Sequence, residues 1–175
     1  RLAPDELRAV HPLGKSPVIT DGDATVHESG AIIDYLIRRH GAGRLQPPVG
    51  APEYEDYLQW LHYAEGSAML PLMLQMYVMR LGEAGGPLHG RIASEIDNHM
   101  SYLDQALAGR DYLLGQALTG ADIQMSFVGE VARAFGLLPK YPNAEAFAEM
   151  IKDPEYREAM KHRQAGCSDS RLIRM

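Results

Sequence analysis

The chain has 175 residues, 46% of them apolar, and a formal net charge of −6 at pH 7. That length supports one large domain or two small ones with a buried core. The acidic balance, with lysines and arginines scattered rather than clustered, excludes broad nucleic-acid or anionic-membrane binding.

Residues 4–10, opening with Pro4, Asp5 and Glu6, predict a short helix whose first turn suits the positive helix end. His11-Pro12-Leu13-Gly14 breaks it. Residues 18–20 and 24–27 read as two short strands, and Asp21-Gly22-Asp23 as the hairpin turn between them. From Gly30 the period becomes helical, with Ile32, Ile33, Leu36 and Ile37 on one face. Arg38-Arg39-His40 is then a solvated helix end and Gly41 the stop. Gly41, Gly43, Pro47, Pro48, Gly50 and Pro52 mark an interdomain linker over 42–52.

Beyond it the pattern is helical throughout. A long helix starts at Pro52-Glu53, carries Tyr57, Leu58, Trp60, Leu61 and Ala64, and is kinked or interrupted by Pro71. Residues 82–87 read as a loop. Leu88, Ile92, Ile96, Met100, Leu103 and Leu107 mark an amphipathic helix closed by Gly109. Thr119 as N-cap and Asp122 three residues on form an aspartate variant of the capping box. The helix that follows is apolar on most sides and therefore central, and Gly136 ends it. Shorter helices are expected near 144–152 and 154–162, then a polar tail over 166–175.

No uninterrupted apolar stretch reaches the roughly 18 residues that a membrane span needs. Residues 68–81 come closest, broken by Pro71, Gln75 and Arg80. The single cysteine, Cys167, excludes an internal disulfide framework and suits a reducing cytoplasm; it reads as an incidental surface thiol. His11, His27, His40, His62, His89, His99 and His162 show no close ligand spacing, so no metal site is expected. A two-stranded hairpin needs further strands or helix cover, so residues 1–41 are expected to be the second half of a small mixed-sheet domain.

Two dipeptides carry the chemistry. Pro17 opens a strand after a turn. An ordinary trans proline is the default there, whereas a cis Ser16-Pro17 bond would turn the Ser16 backbone outward to pair with an extended peptide. Ser29 stands where an N-cap belongs, so its hydroxyl and the free first-turn N–H groups suit a carboxylate. Glu28 beside it suits an ammonium, and Lys15 adds a second anion contact. The blander alternatives are a plain N-cap serine and solvated charges. Asp122 needs no catalytic role, because capping accounts for it. Met69, Met73, Met76 and Met79 share neighbouring turns. Packing is their first role and an adaptable substrate surface the second.

His11-Pro12-Leu13-Gly14-Lys15-Ser16-Pro17-Val18-Ile19, followed at this spacing by Glu28-Ser29-Gly30-Ala31-Ile32, closely resembles the glutathione transferase family. It is most similar to a fungal and bacterial subgroup sharing the His-Pro-Leu-Gly-(basic)-Ser-Pro phrase. The linker, the helical half and the Thr119-Gly120-Ala121-Asp122 box are also similar to that family, so the resemblance spans roughly residues 3–160. It implies an α+β thioredoxin-like domain, here residues 1–41, followed by an all-α bundle over 53–165, in a homodimer.

The resemblance maps Ser16, ahead of a cis Pro17, onto the residue that pairs with the cysteinyl backbone of glutathione, the co-substrate. Glu28 and Ser29 map onto the pair that holds its γ-glutamyl group. Lys15 falls near the glycyl carboxylate, with His11 nearby. Tyr63, Met69 and Met73 are candidates for the site of a small hydrophobic electrophile or peroxide. The family's thiol-activating Tyr, Ser or Cys lies at the end of a first strand and is expected upstream of Arg1. The implied activity is glutathione conjugation or related thiol-transfer or peroxidase chemistry. The alternative is a non-catalytic binding or regulatory protein on the same fold.

Overall fold

The computed structural model describes residues 3–149. Helix α1 (Asp5–Val10) carries Asp5 and Glu6 in its first turn and buries nothing. Strands β1 (Val18–Asp21) and β2 (Ala24–His27) pair antiparallel, with Val18 opposite His27 and Asp21 opposite Ala24. Gly22 turns the hairpin at φ 57°, a conformation that side chains resist. Helix α2 (Ser29–His40) covers the hairpin and buries Ile32 and Ile37.

The connection 41–52 is irregular. Gly41 is required at its start, because a Cβ there would lie 2.4 Å from the Ile37 carbonyl oxygen. Leu45 has a left-handed backbone (φ 64°), and its carbonyl accepts the Gly120 N–H at 2.8 Å. The connection is thereby tied to the start of a distant helix, a long loop whose closure carries an entropic cost.

The long helix expected from residue 53 is built in two pieces. Helix α3 (Glu53–Tyr63) and helix α4 (Met69–Met79) are joined by a π turn over Ala64–Ala68. The interruption therefore precedes Pro71 rather than sitting on it. A proline ring collides with the carbonyl four residues back, here Ser67, and the wider π turn opens the ladder at that place. A short 3-10 turn, Gly82–Gly85, leads directly into α5 (Gly86–Ala106), so helix begins where a loop was expected. Gly109, at φ 70°, lies in the turn after α5 rather than at its cap.

Helix α6 (Gly120–Ala134) is central: nine of its fifteen residues are buried, and it packs on α2, α3 and the last helix among the described residues, α7 (Pro142–Glu149). Tyr57, Leu61, Leu72, Leu103, Met125 and Val128 form the core around it. Asp104 fixes the start of α7 by accepting the N–H groups of Asn143 and Ala144. The expected helix over 154–162, Cys167 and the tail over 166–175 lie outside the described residues. Among the described residues no helix is long and apolar enough to cross a membrane.

Two features mark the N-terminus of α6, and the second packs it on α2. The capping box forms as expected: the Thr119 N–H and hydroxyl both donate to Asp122 Oδ2, at 2.8 and 2.7 Å. Asp122 Oδ1 also accepts the Leu113 N–H at 2.8 Å, which a local pattern does not reveal. Gly120 then lies against Ile33 and Ile37 of α2 and the buried hydroxyl of Tyr57. That hydroxyl has no hydrogen-bond partner among the described residues, and burial pushes its pKa to about 12.

Candidate functional site

Strand register brings the two dipeptides together. Val18 is opposite His27, so the pairing extended one step sets Pro17 against Glu28. The Ser16-Pro17 bond is cis, and both residues are solvent-exposed at that end of the hairpin. Lys15 is exposed beside them.

Glu28 turns the chain from β2 into α2 in a single step, with φ 70° and ψ 127°. A non-glycine residue in this region stores on the order of 1–3 kcal/mol of strain, and such outliers gather at functional sites. The sharp turn also moves the helix start. Glu28, not Ser29, is the N-cap, and Ser29 is the first helical residue. The expected N-cap role of Ser29 is thus corrected: its hydroxyl does not cap α2. The first bond of α2 runs from the Ile32 N–H to the Glu28 carbonyl, so the N–H groups of Ser29, Gly30 and Ala31 have no acceptor within the helix. They face outward at the positive helix end with no side-chain cap.

Two residues that sequence patterns did not single out complete the place. Gln124, on α6 and buried, donates through Nε2 to Ser29 Oγ at 2.7 Å and to Glu65 Oε1 at 3.3 Å. Glu65 belongs to the π turn. Its side chain is exposed in part, yet burial of the carboxyl, and then the negative charge of Glu28, raise its pKa above the ordinary value of 4.5. Among the described residues neither Glu28 nor Glu65 is ion-paired to a lysine or arginine. A glutamine on the otherwise apolar face of Ala121, Met125 and Val128 was the available signal for Gln124. Nothing in the spacing marked Glu65, since its position depends on the π turn.

The arrangement offers an acceptor side and a donor side next to one another. Two carboxylates without a cation attract an ammonium. A serine hydroxyl and three free N–H groups at a helix N-terminus attract a carboxylate. An α-amino acid head group carries both charges on one carbon. The exposed, cis-linked Ser16-Pro17 step lies at the same end of the hairpin.

The remaining candidates are placed differently. His11 is 6% exposed, its Nδ1 accepts the Leu13 N–H at 3.1 Å, and its ring stacks on His27 at 4.3 Å. It braces the loop ahead of Lys15. Tyr63 and His99 Nδ1 are hydrogen-bonded at 2.6 Å, and Tyr63 packs edge-on against Trp60 and Tyr102. Met69 is core, at 4% exposure, which removes it from a substrate-facing role; Met73 is half-buried against the same core. Two cavities of about 400 and 520 Å³ lie elsewhere, the first lined in part by Gln75, Met79 and Tyr141, the second by Glu53, Trp60 and Tyr102. Neither is lined by Ser16, Glu28 or Ser29.

Known proteins share both halves. Residues 1–48 match the family described as glutathione S-transferase, N-terminal domain, and residues 88–153 match glutathione S-transferase, C-terminal domain. Glutathione S-transferase 3 of Schizosaccharomyces pombe is 30% identical over 166 residues, covering 86% of this chain and 68% of that protein. A crystal structure of a glutathione S-transferase from Actinobacillus pleuropneumoniae superposes with a TM-score of 0.79 at 30% identity, covering 91% of this chain and 74% of that one. A sphingomonad glutathione S-transferase, solved complexed with glutathione, gives 0.72 at 26% identity over 90% of this chain and 78% of that one.

Proposed function

The chain belongs to the glutathione S-transferase family, and from that footing we propose that the place formed by Ser16, Pro17, Glu28 and Ser29 holds glutathione. Transferase activity follows from the family and its relatives. The observation that carries the site assignment is the two carboxylates, Glu28 and Glu65, which meet no lysine or arginine among the described residues and sit beside the open N-terminus of α2. That charge pattern suits the zwitterionic γ-glutamyl end of glutathione.

In this reading Glu28 and Glu65 take the γ-glutamyl ammonium. Ser29 and the first-turn N–H groups of α2 take its α-carboxylate. The Ser16 backbone pairs with the cysteinyl residue, and Lys15 neutralises the glycyl carboxylate. The fixed peptide presents its thiolate to a small hydrophobic electrophile. A carbon–sulfur bond forms while the electrophile gives up a leaving group or accepts the electron pair by addition; a bound peroxide would instead be reduced to an alcohol and water while two glutathione thiols are oxidised to the disulfide. Tyr63 and Met73 remain the proposed apolar neighbours of that second substrate. None of these residues is assigned the activation of the thiol. The protein is further proposed to act as a cytoplasmic homodimer, in the subgroup with the His-Pro-Leu-Gly-(basic)-Ser-Pro phrase.

Glutathione-affinity retention together with turnover of a chromogenic electrophile tests the function, and retention without turnover would favour a binding protein. Ser29→Ala removes one hydrogen bond to a charged group, so glutathione affinity is expected to fall roughly 10–100-fold. Calorimetric titration reads the change, and unaltered affinity would remove Ser29 from the site.

The raised pKa of Glu65 gives a pH dependence with a definite sign. Only the ionised carboxylate attracts the ammonium, so affinity is expected to rise with pH and to level off above the pKa of Glu65. The fall on acidification begins at a higher pH than for an ordinary glutamate. Titrations from about pH 4 to about pH 8 would show it, and Glu65→Gln is expected to flatten that part of the profile.

A further inference from the structure

We propose that Gln124 is a positioning residue that makes Ser29 a dedicated donor and thereby selects a ligand with a carboxylate at that place; this rests on the glutathione reading of the site. Gln124 is 4% exposed and projects from the second turn of α6 to the start of α2. Its amide nitrogen has two hydrogens and meets two acceptors, Ser29 Oγ at 2.7 Å and Glu65 Oε1 at 3.3 Å. An ionised carboxylate only accepts, so Glu65 fixes which end of the amide faces the site.

That orientation has a chemical consequence at Ser29. A hydroxyl has one hydrogen and two lone pairs. With Gln124 donating to the oxygen, the Ser29 hydrogen points away from Gln124, towards the outward side where the first-turn N–H groups also point. The hydroxyl is thus set to donate to an incoming anion. A glutamine presenting its carbonyl would draw that hydrogen inward and leave an acceptor facing the ligand. The longer contact to Glu65, at 3.3 Å, sets the orientation of the amide, and Ser29 takes the shorter one at 2.7 Å. The contact spans 95 residues and joins α2 to α6, so the site depends on how those two helices dock.

Gln124→Met keeps the length and volume of the side chain and removes the donor, and Gln124→Glu replaces the donor with an acceptor. Thermal unfolding of both comes first, and whichever variant keeps the wild-type midpoint is carried forward. The ligands are glutathione and γ-aminobutyryl-cysteinylglycine, an analogue that keeps the amine and lacks the glutamyl α-carboxyl group. The expected result is roughly a tenfold rise in KM and Kd for glutathione in Gln124→Met, a larger rise in Gln124→Glu, and kcat within about twofold of wild type. The ratio of affinities for glutathione over the analogue is expected to collapse by the same factor, since the variant loses what the carboxylate recognises.

Equal losses for glutathione and the analogue would overturn the proposal, because they would mark a packing role. Unchanged affinity in a folded variant, with Ser29→Ala still impaired, would overturn it while leaving the glutathione site intact. A wild-type protein that does not bind glutathione at all would overturn the site assignment and this inference together.

Discussion

Asp122→Ala is expected to cost about 3–5 kcal/mol of folding stability, more than removing any other single side chain of the capping box or the glutathione site. The carboxylate is fully buried and serves three donors: the Thr119 N–H, the Thr119 hydroxyl and the Leu113 N–H. Alanine strands all three away from water, and each buried orphan costs about 1–3 kcal/mol. For a chain of this size the loss corresponds to a fall in Tm of roughly 10 °C. Asp122→Asn is expected to recover only part of it. Its amide oxygen can accept one N–H, but its NH2 group then confronts a donor across the cap. Scanning calorimetry of both variants checks the order, and an alanine variant within about 1 °C of wild type would contradict it.

Gly120→Ala is expected to damage stability and ligand affinity together. A Cβ at this position would sit 2.6 Å from Ile37 Cδ1, 2.7 Å from Ile33 Cγ2 and 2.9 Å from the Tyr57 hydroxyl. Ile33 is stiff at its branch point and the Tyr57 ring is locked in the core, so the methyl is accommodated mainly by pushing α2 off α6. Overpacking of this kind costs about 1–3 kcal/mol. The displaced helix carries Ser29 at its first position, so the 2.7 Å contact to Gln124 lengthens as well. Glutathione affinity is expected to drop roughly tenfold, the factor that follows from losing a single net hydrogen bond. Gly90→Ala is the control. Gly90 lies inside α5 with open space around it, and alanine there is expected to stabilise by about 0.5–1 kcal/mol. Equal responses at the two glycines would show that contact at the seam is not what decides the effect.

Local features were legible and distant ones were not. Thr119 and Asp122 are three residues apart, and their box depends only on helix geometry, so the pattern exposes it. The hairpin, the start of α1 and the stop at Gly41 follow from turn chemistry in the same way. The residues behind Ser29 were out of reach as contacts. Gln124 lies 95 residues away, and its polar place on an apolar face marks the residue without naming its partner; Glu65 projects from a π turn that no spacing marks. The cap falls on Glu28, one residue before the expected Ser29, because a left-handed glutamate is improbable on local grounds and is held by its surroundings. Met69 and Met73 share a helical stripe, yet only the packing of α4 separates the core residue from the half-buried one. The resemblance to a family supplied glutathione, which periodicity cannot supply.

The π turn between α3 and α4 behaves as one surplus residue in an otherwise regular screw. Its effect is rotational. Each residue of an α-helix advances about 100° around the axis, so the turn sets the phase of Met69–Met79 independently of Glu53–Tyr63. Upstream, Tyr57, Trp60 and Leu61 are buried; downstream, Met69, Leu72 and Val78 are. Point changes at Gly66 or Ser67 preserve that clockwork, whereas shortening the segment by one residue would turn the lower half out of phase. Apart from Glu65, which the ligand site claims, this segment is therefore tolerant of letters and intolerant of length.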